Sequence, residues 1–471
     1  MRTYVAPAGS IPTLEVPDLS TVRSLHLVGI GGSGMRNIAR VLAARGHVVT
    51  GSDLKESGAV RSLREAGIAV TVGHAAGNVG AVDAVVTSSA IAEANPELVA
   101  ARSRGVPVWT RAQALAALTV GSRTLAVTGT HGKTTTTSML ALVLERAGTD
   151  PSYVIGGEPN ETGGGARSGS GDLFVVEGDE SDGSFLLLRP EVGIVTNVEV
   201  DHVDFYRGGI EEIEAAFAAF AERCGQVLVC ADDARAMSAT DDHARVTYGS
   251  SPAADVRVET TDLGPSGARG RLTVDGEAYD LRIGVDGAHN LANAAAAVAA
   301  AALVGVDPAA AIAALAEFTG VHRRFERRGG ARGAQFYDDY GHVPTELAVT
   351  LATAGRTGAR RVIAVFQPHR YSRTQALWRE LGASLVEADV VVVTDVYGAE
   401  QQPIPGVTGK LVVRGVAEAD PGQRVVYLPH RGDVVRFLDR EVRSGDLVVT
   451  MGCGDVWMLG DAALAAIGAD A

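Results

Sequence analysis

Lys133 sits between Gly132 and Thr134 in the run Thr124-Leu-Ala-Val-Thr-Gly129-Thr-His-Gly132-Lys133-Thr134-Thr135, where an apolar stretch passes through a glycine turn into polar residues. Residues of these types in this order suit phosphate. A glycine loop at a helix N-terminus turns backbone N–H groups toward phosphate oxygens, a lysine ammonium reaches the terminal phosphates, and a threonine hydroxyl can ligate Mg2+. Gly129, Thr130, His131, Gly132, Lys133, Thr134 and Thr135 are the expected nucleotide contacts, with ATP or GTP as the ligand class. Val127 stands where the usual G-x-x-x-x-G-K-[ST] pattern places its first glycine, so the turn is shorter than in that pattern.

A second glycine run, Gly29-Ile-Gly31-Gly32-Ser33-Gly34, follows an apolar stretch, and Asp53 lies 19 residues beyond Gly34. That spacing fits a dinucleotide fingerprint and admits NAD, FAD or a UDP-sugar. Two nucleotide sites in one chain suggest that one nucleotide supplies energy and the other is part of a substrate.

Acidic residues follow a further apolar run in Glu177-Gly-Asp179-Glu180-Ser-Asp182. Mg2+ takes hard oxygen ligands together with phosphate oxygens, so Glu177 is a candidate metal ligand, whereas Asp182 reads better as a cap or solvated acid. His202, beside Asp201, admits either a metal-ligating or a hydrogen-bonded strand-end role. Arg370 and Arg373 in Gln367-Pro-His-Arg370-Tyr-Ser-Arg373 fall on one face of any helical turn starting there, and paired guanidinium groups suit carboxylate or phosphate. Asp338-Asp-Tyr-Gly-His342 and Arg323-Arg324-Phe325 are ambiguous alone.

These residues need rigid elements behind them. Apolar runs at 25–28, 125–128, 173–177, 193–196, 362–366, 390–394 and 447–451 each end in Gly, Asp, Asn, Gln, Glu or Thr and alternate with alanine-rich helical stretches. This predicts doubly wound parallel sheets with ligands at the strand C-terminal ends. At 471 residues and roughly 150 residues per domain, three domains are expected, with breaks near Thr119-Val-Gly-Ser122 and Gly320. The span 251–286 reads as a small antiparallel insert in the middle domain, the glycine-rich span 163–171 as a mobile loop, and Asn293–Ala302 as a close-packed helix. The net charge of −14 argues against a nucleic-acid or anionic-membrane surface. No stretch approaches the ~20 apolar residues of a membrane span. The three cysteines, Cys224, Cys230 and Cys453, lack C-x-x-C spacing and read as buried packing in a reducing compartment. A cytoplasmic location is expected.

Taken in order, Gly29-Ile-Gly-Gly-Ser-Gly-Met35, Gly129-Thr-His-Gly-Lys-Thr-Thr135, Glu177-Gly-Asp-Glu-Ser-Asp-Gly-Ser-Phe185, Thr196-Asn197 with Asp201-His202, Gly320-Val-His-Arg-Arg-Phe325, Asp338-Asp-Tyr-Gly-His342 and Phe366-Gln-Pro-His-Arg-Tyr-Ser-Arg-Thr374 closely resemble the Mur ligases over nearly the whole chain. The resemblance is strongest to the members that add L-alanine to UDP-N-acetylmuramate. It implies α/β architecture in three domains: a Rossmann-like UDP-sugar domain (1–120), a central P-loop ATPase domain with a parallel sheet (121–320), and a Rossmann-like C-terminal domain that takes the amino acid and closes (321–471). It further implies ATP and Mg2+ as cofactors, an acyl-phosphate route in peptidoglycan precursor synthesis, and a monomer or homodimer.

Residue by residue, the resemblance gives Lys133 to the transferring phosphoryl group, and Thr134, Glu177 and His202 to Mg2+. His342, Arg370 and Arg373 go to the amino-acid carboxylate or the intermediate. Gly29, Gly31, Gly32, Ser33, Gly34 and Asp53, with His74, Ser88 and Ser89 nearby, go to the UDP-sugar, and Asn290, Asn293 and Arg324 to the ATP nucleotide. Three positions depart from the family pattern. Ala288 stands where Arg is usual, Val343 where the second His of His-His-Pro is usual, and Gln401-Gln402 where acids are common. Two other activities compete: a ligase joining a ready-made peptide to the same UDP-sugar, and an NAD-dependent oxidoreductase, which leaves the phosphate loop unexplained.

Overall fold

The computed structural model describes residues 13–202, 205–243, 245–399 and 401–468. It contains three sheets flanked by helices. The first holds β1 (Ser24–Val28), β2 (Val48–Asp53), β3 (Ala69–Val72), β4 (Ala84–Thr87) and β5 (Val108–Thr110) in the order β3-β2-β1-β4-β5, parallel throughout. Its helices are α1 (Ser33–Ala44), α2 (Gly58–Glu65), α3 (Pro96–Ser103) and α4 (Arg111–Thr119). Strand order reverses at β1 and β4, which puts the turns after both strands at the crevice where doubly wound sheets bind ligands. Gly29–Gly34 leaves β1 there and Ser88-Ser89 leaves β4.

The second sheet has ten strands: β6 (Arg123–Thr128), β7 (Ser152–Val154), β8 (Ala166–Arg167), β9 (Leu173–Glu177), β10 (Val192–Val195), β11 (Gln226–Cys230), β12 (Arg245–Gly249), β13 (Val256–Gly264), β14 (Gly267–Val274) and β15 (Glu277–Ile283). Around them lie α5 (Lys133–Arg146), α6 (Ile210–Ala221), α7 (Ala234–Ala239), α8 (Ala288–Leu303) and α9 (Pro308–Leu315). β6 lies between β10 and β9 in parallel register, so the phosphate loop, Glu177 and Thr196-Asn197 all emerge at neighbouring strand ends. Apolar strands explain the burial: Leu125, Val127, Val175, Val176 and Ile194 are fully covered.

Of two sequence expectations for this sheet, one is met and one is corrected. In the span 251–286, β14 and β15 pair antiparallel as expected, and because β12 pairs in parallel with β13, these strands continue the middle sheet to its edge. The glycine-rich span 163–171 is not a loose loop. Ala166–Arg167 pairs antiparallel with β7, Ile155 N donates to Gly165 O at 2.8 Å, and Gly171 N donates to Asp150 O at 2.9 Å. A Cβ at Gly169 would collide with Asp150 O, and one at Gly171 with Thr149 O, so these glycines permit close backbone approach rather than mobility.

The third sheet contains β16 (Glu326–Ala331), β17 (Ala334–Asp339), β18 (Arg361–Phe366), β19 (Val390–Val393), β20 (Val425–Tyr427) and β21 (Asp446–Met451), ordered β16-β17-β21-β18-β19-β20 and parallel except for the β16–β17 hairpin. Helices α10 (Pro344–Arg356), α11 (Tyr371–Ser384), α12 (Lys410–Ala419), α13 (Arg431–Glu441) and α14 (Trp457–Ile467) accompany it. Separate cores form around Leu347, Phe366 and Met451 and around Phe336, Ile363 and Val448. The first two sheets share one apolar core and form one compact unit, up to Asp262 with Ala268–Thr319. The second unit runs from Gly320 onward, with Leu263–Gly267. Among the described residues no helix is long and apolar enough to cross a membrane.

Candidate active site

The phosphate loop is held from below by side chains. Gly132 adopts φ 79° before α5 begins at Lys133. Gly129 has φ 135°, and a Cβ there would collide with Thr196 Oγ1, so only glycine fits. Thr196 Oγ1 donates to His131 O at 2.6 Å, His131 N donates to Asn197 Oδ1 at 2.8 Å, and Glu199 N donates to Thr130 Oγ1 at 2.8 Å. On the other flank, buried Asn293 accepts from Thr136 Oγ1 at 3.2 Å and donates to Asn290 Oδ1 at 3.2 Å, and its Oδ1 lies 2.9 Å from where a Gly132 Cβ would stand. Asn290 in turn donates to Asp286 O at 2.7 Å. Both asparagines of α8 therefore brace the loop.

Charge is concentrated beside it. Lys133 Nζ donates to Gly129 O at 2.5 Å, Thr130 O at 3.1 Å and Glu180 Oε1 at 3.0 Å. Thr134 Oγ1 donates to Glu177 Oε1 at 3.0 Å, while Glu177 Oε2 accepts Gly156 N at 2.7 Å. Burial pushes the Glu180 carboxyl up to about 7, with Asp179 adding to the rise and Lys133 opposing it. Burial of Lys133 would disfavour its ammonium, but Glu180 and Glu177 outweigh that and hold its pKa above the usual lysine value. His202 Nε2 lies 3.7 Å from Glu180 Oε1 and 3.4 Å from Asp201 Oδ2, with the backbone at φ 52°. Asp182 Oδ1 accepts Ser184 N at 3.0 Å, in the manner of a cap.

The donor set at this point fits Mg2+. Thr134 and Glu177 bring two hard oxygens into contact, with Glu180 and His202 alongside. Among the described residues no three His, Cys, Asp or Glu side chains converge as a ready cation cage. A cation held by one or two protein oxygens and completed by phosphate matches how Mg2+ binds.

In the first sheet Gly29 N and Ile30 N donate to Ser52 O at 2.9 and 3.0 Å, and Gly31 N donates to Asp53 Oδ2 at 2.9 Å. Asp53 thus holds the cradle itself. The N-terminus of α1, at Gly32 and Ser33, has no side-chain cap, which leaves backbone N–H groups directed at the crevice. Ser88 Oγ lies 3.7 Å from where a Gly29 Cβ would stand, whereas Ser89 is exposed. His74 Nδ1 lies 3.0 Å from Ser52 Oγ and 3.3 Å from Glu97 Oε2. Burial alone would raise the Glu97 carboxyl, yet hydrogen bonds from His26, Ser52 and Asn78 hold it down to about 2. Sequence reasoning missed Glu97 because it sits in no motif. It also missed Arg111, which pairs with Asp179 at 2.9 Å.

In the second unit, Arg370 caps α11 at φ 66° and its N–H donates to Tyr397 O at 2.8 Å. Buried Arg373 lies one turn on, Nη1 3.3 Å from His369 Nδ1, and the His369 and His342 rings stand 5.9 Å apart. His342, Arg370 and Arg373 therefore gather around the strand ends of one sheet. Arg323 pairs with buried Asp338 at 2.8 Å, and Arg324 lies over the Tyr340 ring at 5.0 Å, 4.0 Å from Glu346. Gln401 is less free than an exposed loop residue, since its Nε2 donates to Ser372 Oγ at 2.9 Å.

Three family models match consecutive stretches of the chain: Mur ligase family, catalytic domain (residues 24–123), Mur ligase middle domain (127–301), and Mur ligase, glutamate ligase domain (323–454). A UDP-N-acetylmuramate–L-alanine ligase from Kineococcus radiotolerans is 49% identical over 460 residues, 94% of this chain and 96% of that one. The chain belongs to the Mur ligase family. An enzyme of the same name from Thermobifida fusca is 44% identical, with 96% of this chain and 98% of that one covered. The crystal structure of a UDP-N-acetylmuramate-alanine ligase from Thermotoga maritima superimposes with a TM-score of 0.80 at 29% identity, covering 94% of this chain and 98% of that one. In this Mur ligase Val343 is buried as the N-cap residue of α10, and Ala288 is the first residue of α8.

Proposed function

We propose that this Mur ligase joins the amino group of L-alanine to the carboxylate of UDP-N-acetylmuramate, converting ATP to ADP and phosphate. The reading is carried by Lys133 and the Thr134–Glu177 oxygen pair at the phosphate loop, in the same compact unit as a second glycine cradle, together with near full-length similarity to enzymes of that name. A carboxylate resists attack by an amine, so it is first activated. A carboxylate oxygen attacks the γ-phosphorus and ADP leaves. The amine then attacks the acyl carbon, phosphate departs from the tetrahedral intermediate, and the nitrogen loses a proton to give the amide.

Lys133 neutralises charge on the transferring phosphoryl group. Thr134, Glu177 and His202 would hold Mg2+, which when bound screens the phosphate oxygens. Asn290 and Asn293 act on the nucleotide through the loop they brace, and Arg324 adds a further nucleotide contact. Gly29, Gly31, Gly32, Ser33 and Gly34 take the UDP pyrophosphate, with Asp53 positioning Gly31 and with His74, Ser88 and Ser89 toward the uridine and sugar. His342, Arg370 and Arg373 take the amino-acid carboxylate and the intermediate. The division of labour runs 1–120 for the UDP-sugar, 121–320 for ATP and 321–471 for the amino acid, in cytoplasmic peptidoglycan precursor synthesis.

Phosphate release from ATP with Mg2+ and UDP-N-acetylmuramate, measured with L-alanine, with a tripeptide and with neither, tests the reading. L-Alanine-dependent release is expected. Release dependent on the tripeptide alone would replace it with the peptide-joining activity, and release indifferent to both would remove the ligase assignment.

A further inference from the structure

Arg111 opens α4 and lies between the glycine cradle and the acidic loop. Its Cδ and Nη1 pack against Gly34 so closely that a Cβ there would stand 3.2 and 3.3 Å from them. Its Nη2 donates to Asp179 Oδ2 at 2.9 Å and lies 3.9 Å from Asp182 Oδ2. Gly34 belongs to the first turn of α1, the helix whose uncapped N-terminus forms the cradle. Asp179 belongs to the loop that delivers Glu180 to Lys133, and its carbonyl accepts both Ser184 Oγ and Phe185 N at 3.0 Å. Moving Asp179 therefore moves the backbone that places Glu180.

A second link leaves the same helix. Buried Asn37 of α1 donates from Nδ2 to Ile155 O at 2.8 Å. The N–H of that same peptide group, on Gly156, donates to Glu177 Oε2 at 2.7 Å, and Glu177 accepts from Thr134. One peptide unit thus connects α1 to the proposed metal ligands, in a chain where each hydrogen bond polarises the next.

Electrostatics explains why a cation is needed at Arg111. Glu177, Asp179, Glu180 and Asp182 crowd into six residues. Lys133 is paired with Glu180 and Arg111 with Asp179. Without Arg111, Asp179 and Asp182 repel each other and the loop loses the geometry that serves Lys133. A ligand that fixes α1 and Arg111 removes conformational freedom that the phosphate site would otherwise have to remove itself.

We propose that Arg111 and Asn37 are positioning residues that couple the glycine cradle to the phosphate and metal site, so that the UDP-sugar and the Mg–nucleotide each tighten binding of the other. The proposal rests on the assignment of the UDP-sugar to the cradle. Calorimetric titration of Mg–ADP into the full-length protein, with and without saturating UDP-N-acetylmuramate, measures the coupling. In the wild type the sugar is expected to tighten Mg–ADP within the range of about 5- to 150-fold typical of linked sites. Arg111→Ala and Asn37→Ala should each reduce that factor and the double variant should bring it near one. Arg111→Lys should retain an intermediate value, and because it keeps the charge and the stem against Gly34 it carries the test should Arg111→Ala not fold. A purely structural role would weaken each ligand alone and leave the factor intact, which overturns the proposal. A wild type that binds both ligands independently overturns the coupling and leaves the ligase reading standing. A wild type that does not bind UDP-N-acetylmuramate overturns the cradle assignment and the coupling with it.

Discussion

Lys133 is held by two loop carbonyls and by Glu180, so its ammonium is already aimed along the phosphate loop. Lys133→Ala removes the one cation on that loop that can follow the transferring phosphoryl group. Phosphate release should fall by at least about 10²-fold, the scale of losing one preorganised electrostatic contact, while UDP-N-acetylmuramate affinity measured by calorimetry stays largely unchanged. Equal loss of both would end the division of labour between the two glycine loops. Glu180 makes a different statement. With its carboxyl pushed up to about 7 from an ordinary value near 4.3, the folded protein keeps a proton that the unfolded chain gives up. Stability attributable to this group is then fully present below about pH 4 and is lost as pH rises through about 7, by about 4 kcal/mol in all. Glu180→Gln holds the site neutral at every pH. Urea unfolding of both proteins between pH 5 and 8 should show the variant gaining on the wild type as pH rises, and parallel curves would mean that Glu180 ionises normally. At the loop's other end, Gly129→Ala puts a methyl into Thr196 Oγ1 and should cost both stability and nucleotide affinity.

Helices α11 and α12 meet through two glycines. A Cβ on Gly382 would run into the backbone of Gly415, and one on Gly415 into Trp378 O, with backbone on both sides and no flexible side chain to yield. Gly382→Ala is expected to cost about 3 kcal/mol or more by forcing the helices apart. Thermal unfolding would read it, and a Tm within about 2 °C of wild type would show that the pair can separate cheaply. Neither glycine carried a sequence signal, since close helix contact is a property of two distant segments. The strands were legible because both faces of a parallel sheet are buried and the apolar run is continuous: Leu173–Glu177 and Arg361–Phe366 lie where the apolar pattern put them. The glycine cradle and phosphate loop were legible because they are local strand, turn and helix units. The glycine-rich span 163–171 misled because glycine serves both flexible turns and crowded backbones, and only the approach of Asp150 distinguishes them. Arg111, Asn37 and Glu97 were illegible for a further reason. Each acts through a partner more than 40 residues away, Asp179, Ile155 and Ser52, and single residues without periodic context leave no pattern.

Across the whole molecule, the three thiols report on the two compact units separately. Cys224 and Cys230 belong to the first and Cys453 to the second. Burial pushes the Cys224 and Cys453 thiols up to about 12 and that of Cys230 up to about 11, so almost no thiolate exists at neutral pH while the fold is closed. Cys230 is also shielded from solvent, whereas Cys224 and Cys453 are partly exposed, so labelling of Cys230 by a thiol reagent proceeds through opening of the surrounding unit, and its rate tracks the population of the open form when closing is fast. A ligand that binds only the closed form lowers that population by a factor of one plus its concentration over Kd. Mg–ADP at a hundred times its Kd should therefore slow labelling of Cys230 by about 100-fold, followed site by site by mass spectrometry. Lys133→Ala, which removes the loop cation from the same unit, should reduce the protection at a fixed nucleotide concentration. If Mg–ADP does not protect Cys230, nucleotide binding is not linked to closure of the first unit, and the phosphate loop cannot be the element through which ATP stabilises it.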